Sequence, residues 1–61
     1  MELYAVYTVE DDVTWYIEVV YWDTGEMEWT TEPEDAYLFY AEEVDVLRDE
    51  YEGLEVEEVW V

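Results

Sequence analysis

Sixty-one residues make one domain, and a chain this short buries only about 60% of the surface its unfolded form exposes, so it has little stability in reserve. Twenty Asp and Glu stand against the single Arg48, with no Lys or His, for a formal net charge of -19; such a surface repels nucleic acid and anionic membranes and attracts basic proteins. A hydrophobic share of 52%, with four Trp and seven Tyr, excludes a disordered acidic tail, and the absence of Cys excludes disulfides and thiolate metal sites.

From Leu3 to Val9 nearly every position is apolar or small, which predicts a first strand, and Glu10, Asp11 and Asp12 read as a charged turn. Thr14 to Trp22 is rich in β-branched and aromatic residues and predicts the central strand, with Trp15, Ile17, Val19 and Tyr21 on one face and Glu18 on the other. Asp23-Thr24-Gly25-Glu26 has turn chemistry. Glu26 to Thr31 then alternates Glu26, Glu28 and Thr30 against Met27, Trp29 and Thr31, a hairpin whose last strand has a solvated face.

Glu32-Pro33-Glu34-Asp35 breaks the pattern, and Ala36 to Phe39 is too short to assign between an extended piece and a helical turn. Tyr40, Val44, Leu47 and Tyr51 recur at spacings of four, three and four, which predicts a helix with a narrow apolar stripe, and Gly53 is placed to cap its end. Leu54 to Val61 reads as a final strand, with Leu54 and Val56 alternating against Glu55 and Glu57. The expected fold is a single α+β domain over 1–61, order β-β-β-α-β, one helix on a small antiparallel sheet.

One helix covers one sheet face. With Leu3, Ala5, Tyr7, Trp15, Ile17, Val19, Leu54 and Val56 toward the helix, Tyr4, Val6, Tyr16, Val20 and Trp22 point the other way, an apolar patch of a size rarely left in water. The expected cover is a second copy of the chain in a homodimer. The alternative is that loops or the 36–39 segment fold over that face.

On the helix, Glu42, Asp45 and Asp49 form one outward stripe with Glu52 at its edge, Glu43 and Glu50 form a second group, and Val46 lies between them. Axial steps along the first stripe are about 4.5 and 6 Å, the same order as the ~3.4 Å phosphate rise along a DNA strand. Glu55 and Glu57 stand about 7 Å apart on one face of the last strand, and with Glu58 they are expected to extend the same field. A charge run on a helix is usually a solvated face, but such faces mix signs. Here like charges at 42/45, 45/49 and 49/52 each cost a few tenths of a kcal/mol, and Asp49, Glu50 and Glu52 crowd the end where the helix dipole disfavours anions. Arg48, within reach of Asp45 and Glu52, is the only offset. The sequence gives up local stability repeatedly in one direction, which points to selection for charge itself.

Two pressures produce such a surface: mimicry of nucleic acid, in which carboxylates occupy the phosphate sites of a nucleic-acid-binding protein, and adaptation to molar salt. Glu outnumbers Asp fourteen to six and bulky aromatics persist throughout, where salt adaptation enriches Asp and thins bulky apolar residues. Mimicry is the expectation and a halophile's structural or interaction domain the alternative.

In size, charge and expected build the chain resembles the small acidic phage-encoded inhibitors, a class that includes DNA-mimic anti-restriction proteins, anti-CRISPR proteins and uracil-DNA glycosylase inhibitors. The resemblance implies a protein that blocks a host defence or repair enzyme at its nucleic-acid channel, in the host cytoplasm, with a basic nucleic-acid-binding protein as partner and no direct binding of nucleic acid. It implies no residue roles.

With no His, Cys, Ser or Lys, nucleophilic triads, thiol chemistry and Schiff bases are excluded, and a carboxylate pair needs a cleft that 61 residues have little room to build, so no catalytic activity is expected. Glu10-Asp11-Asp12, or Asp23 with Glu26, could gather a divalent ion loosely, but no calcium-loop spacing is present and no cofactor is expected. No apolar run approaches ~20 residues and no basic amino-terminal segment leads into one, so neither a membrane span nor a signal peptide is expected.

Overall fold

The computed structural model describes residues 1–61. Strands β1 (Glu2–Glu10), β2 (Val13–Tyr21) and β3 (Glu26–Thr30) run as two successive hairpins; a 3-10 turn at Pro33–Asp35 leads to helix α1 (Ala41–Glu50), and β4 (Glu55–Trp60) closes the fold. The four strands form one antiparallel sheet in the order β3-β2-β1-β4, with the helix packed on one side, so the expected α+β architecture and its element order are those observed.

The first hairpin turns on two residues. Asp11 and Asp12 both have positive φ, 53° and 65°, between the paired Glu10 and Val13, which is the geometry that lets a two-residue turn follow the right-handed twist of its strands. Asp tolerates the left-handed region because its short side chain can bond locally. Beyond the turn the β1–β2 ladder runs only as far as Tyr7↔Tyr16, whereas β1 pairs with β4 from Glu2↔Trp60 to Tyr7↔Glu55. The first half of β1 and the second half of β2 therefore part company, and the unassigned stretch of the sequence supplies the missing partners. Phe39 exchanges two backbone bonds with Tyr4, at 2.9 and 2.7 Å, and Tyr37 N–H donates to the Ile17 carbonyl at 2.9 Å. The 37–39 segment is an extended wedge held by both strands.

Side chains alternate along this wedge as along a strand. Tyr37 and Phe39 meet as tilted rings, centroids 4.6 Å apart and planes at 58°, and Phe39 enters the core on the helix side. Ala36 and Leu38 point to the far side, where they line a shallow cavity with Ala5, Tyr16, Pro33 and Val59. The core itself is Val6, Ile17, Phe39, Val44 and Leu47, flanked by half-buried Tyr4, Val20, Met27, Tyr51, Leu54 and Val56. Burying a side chain such as Phe39 or Leu47 contributes about 1.5–3 kcal/mol, against a total stability of roughly 3–9 kcal/mol for a domain of this length.

This arrangement corrects the expected faces. Val6 is 0% exposed at the centre of the core, and Tyr4 and Val20 pack beside it, so three of the five residues assigned to an outward dimer face lie under the helix. Leu3, Ala5 and Tyr7 take the far side. In β1 the apolar residues run without alternation, so nothing local fixes which parity faces in. In β2 the pairing slips between Ile17 and Val19, so that Ile17 opposes Trp29 and Val19 opposes Glu28. Glu18 is the extra residue of a bulge, and past it the inward parity changes from Trp15 and Ile17 to Val20. Tyr16 does lie on the far side, its ring tilted at 50° against Tyr7 with centroids 5.6 Å apart, and it borders the cavity that the Pro33–Leu38 stretch helps to line. Trp22 lies beyond the end of β2, beside the helix. The face expected to meet a second copy of the chain is thus mostly the face under the helix, and on the far side Pro33, Ala36 and Leu38 line a cavity beside Tyr16.

Helix α1 begins at the N-cap Tyr40, whose N–H donates to the Glu43 carboxylate at 2.9 Å. It ends without the expected glycine cap. Tyr51 is already extended at the C-cap, its N–H bonded to Leu47, and Gly53, at φ 81°, instead turns the chain into β4. The Tyr51 hydroxyl donates to the Gly25 carbonyl at 3.0 Å, tying the helix end to the β2–β3 turn. Gly25 has φ 80°, and a Cβ there would stand 3.0 Å from that hydroxyl. Gly25→Ala is expected to cost about 1–3 kcal/mol, from left-handed strain and the displaced hydrogen bond, read as a lower midpoint in urea unfolding. An unchanged midpoint would mean that this tie contributes nothing.

Candidate protein-binding surface

The helix buries Val44 and Leu47 and turns everything else outward. At 100° per residue, Glu42, Val46 and Asp49 point directly away from the core, Asp45 and Arg48 flank them toward one side, and Glu43 and Glu50 toward the other. Glu43 is the one half-buried carboxylate of this group, since it also caps the helix start; its charge sits where the dipole favours it.

On the Asp45 flank the helix meets β1 and β4. Tyr4 pairs with Glu58, and its hydroxyl donates to Glu2. The bond to Glu2, partial burial, and the negative charges of Glu2, Glu58 and Asp45 all push the Tyr4 hydroxyl above its ordinary pKa of 10.0. Glu2 and Glu58 thus share with Tyr4 the side of the sheet on which the helix packs, and their charges and that of Asp45 act on one phenol. The carboxylates of the sheet on this side are Glu58 and Glu2, and not Glu55 and Glu57. Those two alternate to the far side: Glu57 raises the pKa of Tyr16 there, second to burial. The sheet separates them from the helix stripe, because the outward-pointing residues of β4 that share the helix side are Glu58 and Trp60.

On the other flank, Trp22, Glu42, Glu43 and Val46 line an open cleft of ≈ 280 Å³. Trp22 is 50% exposed and Val46 48%. The sequence indicated Val46 as the apolar contact within the acidic field; Trp22 is its neighbour in space and was assigned elsewhere. No local signal could have found it, since its position depends on the bulge in β2. Glu2 was also missed, because its place beside Glu58 follows from the β1–β4 register.

No group of three or more acidic side chains is placed to hold a metal ion, Glu10, Asp11 and Asp12 included. No helix is long and apolar enough to cross a membrane. No protein-family model matches the chain, and neither a curated protein nor a solved structure is similar to it.

The acidic surroundings have a titration consequence. Tyr21 is raised as well, chiefly by its 2.6 Å hydrogen bond to Glu28. A folded-state pKa above the unfolded value means that the folded protein holds the proton longer, so the contribution of Tyr4, Tyr16 and Tyr21 to stability is full below about pH 10 and is lost as pH rises through the folded values. Tyrosinate absorbance during an alkaline titration is expected to show phenols that ionise later in the folded chain than in the urea-unfolded chain. Simultaneous ionisation of all seven tyrosines before any loss of structure would contradict this assignment.

Proposed function

We propose that the chain is a non-catalytic inhibitor that mimics nucleic acid, its acidic helix side entering the basic groove of a nucleic-acid-binding enzyme of a host cell's defence or repair machinery, in the cytoplasm. The observation that supports this best is the continuity of the helix-side field. Glu2 and Glu58 on the sheet lead to Asp45, Glu42 and Asp49 on the helix, with one exposed tryptophan and one exposed valine beside it. Charge of one sign would steer a basic partner and make its capture salt-dependent, while Trp22 and Val46 supply apolar area that water does not screen. Glu50 extends the same side, and Glu55 and Glu57 lie outside it.

Asp45→Lys with Asp49→Lys leaves the Glu43 cap intact and raises the net charge by four units. The double variant is expected to fold at least as well, since like charges are removed and a cation is added to the helix's last turns, and to lose at least tenfold in affinity for basic nucleic-acid-binding proteins, about 1.4 kcal/mol. The measurement is retention of such proteins on the immobilised chain, with duplex DNA as competitor. Retention that neither the substitutions nor DNA reduces would remove this surface from the mechanism.

A second reading, a salt-adapted domain without mimicry, draws support from the carboxylates elsewhere. Glu55, Glu57, Glu26 and Glu28 are exposed away from the helix, and no charged side chain is buried. Far-UV circular dichroism across a salt titration separates the two readings. A mimic is expected to be folded in dilute buffer, and a halophile's domain to fold only as salt approaches molar concentrations.

A further inference from the structure

The ten-residue helix spans about 15 Å, half the reach of the nine-residue strands beneath it, and it covers the end of the sheet where the wedge enters. The hairpin end of the same side is left open. There Thr8 pairs with Trp15 on the neighbouring strand, and Trp29 on β3 opposes Ile17, which makes the two tryptophans diagonal neighbours across β2 and β3. Trp15, Trp29, Thr8 and Glu10 line a cleft of ≈ 450 Å³, and each indole is 37% exposed.

We propose that this cleft receives an arginine side chain from a basic protein partner. Diagonal positions on adjacent strands bring long side chains within reach of one another, so both indoles border the one open cleft. A guanidinium suits such a cleft in chemistry: it is planar, weakly hydrated, and attracted to the face of tryptophan more strongly than to any other side chain's ring. Glu10 at the rim presents two oxygens for its paired N–H groups. The charge of the chain narrows the choice of occupant. An apolar side chain would desolvate Glu10 without replacing its hydrogen bonds, a nucleic-acid base would bring phosphates into a field of -19, and a second copy of the chain would bring the same charge with only Arg48 to offer. The proposal rests on the reading of the chain as a ligand for basic proteins, but it concerns a different part of the surface from the acidic helix.

The test needs no macromolecular partner, so failure of the helix surface in a retention experiment and failure of this cleft are read separately. N-acetylarginine amide is titrated into the intact chain while the indole N–H signals of Trp15, Trp22, Trp29 and Trp60 are followed by NMR. Saturable shifts at Trp15 and Trp29, with Trp60 unmoved, are expected, together with binding about threefold or more tighter than for the lysine amide and no saturation with the neutral citrulline amide. Trp29→Leu is expected to weaken arginine binding roughly three- to tenfold, and Glu10→Gln, which leaves the apolar packing untouched, about threefold. Uniform movement of all four indoles, equal affinity for the arginine and lysine amides, or full affinity in Glu10→Gln and in a folded Trp29→Leu would overturn the proposal.

Discussion

The fold depends on the backbone bonds that hold Phe39 against Tyr4 and Tyr37 against Ile17. The chain must travel from β3 at one edge of the sheet to β4 at the other, and leave its helix over the middle. It does so by running along the far side through Pro33–Leu38 and entering the gap where β1 and β2 diverge. The N–H and C=O groups that a split ladder would leave unpaired, at a cost of about 1–3 kcal/mol each if buried, are taken up by the wedge. The same residues that satisfy the backbone deliver Phe39 to the core and set the start of α1 one residue later. Backbone pairing, core filling and helix placement are thus a single local event. Only six of 61 residues are buried, so the core has little redundancy with which to absorb a fault in it.

Element order and type were legible in the sequence because they rest on local chemistry. Asp11-Asp12 and Asp23 to Glu26 are turns by composition, the 44/47/51 spacing is helical, and Met27 and Trp29 alternate cleanly against glutamates. What the sequence left undetermined was parity. In β1 both faces are apolar, one buried under the helix and one partly covered by the 33–38 segment, so Leu3 to Val9 contains no alternation to read. In β2 the bulge at Glu18 reverses the alternation midway, and a bulge of a non-glycine residue has no compositional mark. The wedge was illegible for a related reason: its partners are 35 and 20 residues away, at Tyr4 and Ile17, and four residues of Ala-Tyr-Leu-Phe have no period of their own.

The candidate surface shows the same division. The outward positions of the helix residues follow from the 3.6-residue period, and Val46, Glu42, Asp45, Asp49 and Glu50 are exposed as that period requires. The extension onto β4 does not follow from spacing, because Glu55, Glu57 and Glu58 are three neighbours that a strand must divide between two faces. Pairing of Tyr4 with Glu58 decides the division, and it recruits Glu2, which no pattern near the helix could suggest.

The distribution of tryptophan adds a constraint that net charge alone does not. Large apolar side chains are the scarcest resource of a chain with so small a core, yet Trp15, Trp22, Trp29 and Trp60 are all exposed, and the core is filled by smaller aliphatic residues and one phenylalanine. Solubility at -19 needs none of these indoles, and fold stability spends none of them fully. Tryptophan is the residue type that most often dominates binding energy when a partner desolvates it. Charge of one sign accelerates encounter with any basic protein, but it discriminates poorly among them and fades with salt. Fixed aromatic positions on a twisted sheet and at the helix flank would supply the discrimination that charge lacks. Under the proposed function the acidity would set the class of partner, and the placement of the indoles, which the wedge and the bulge determine, would set which member of that class fits.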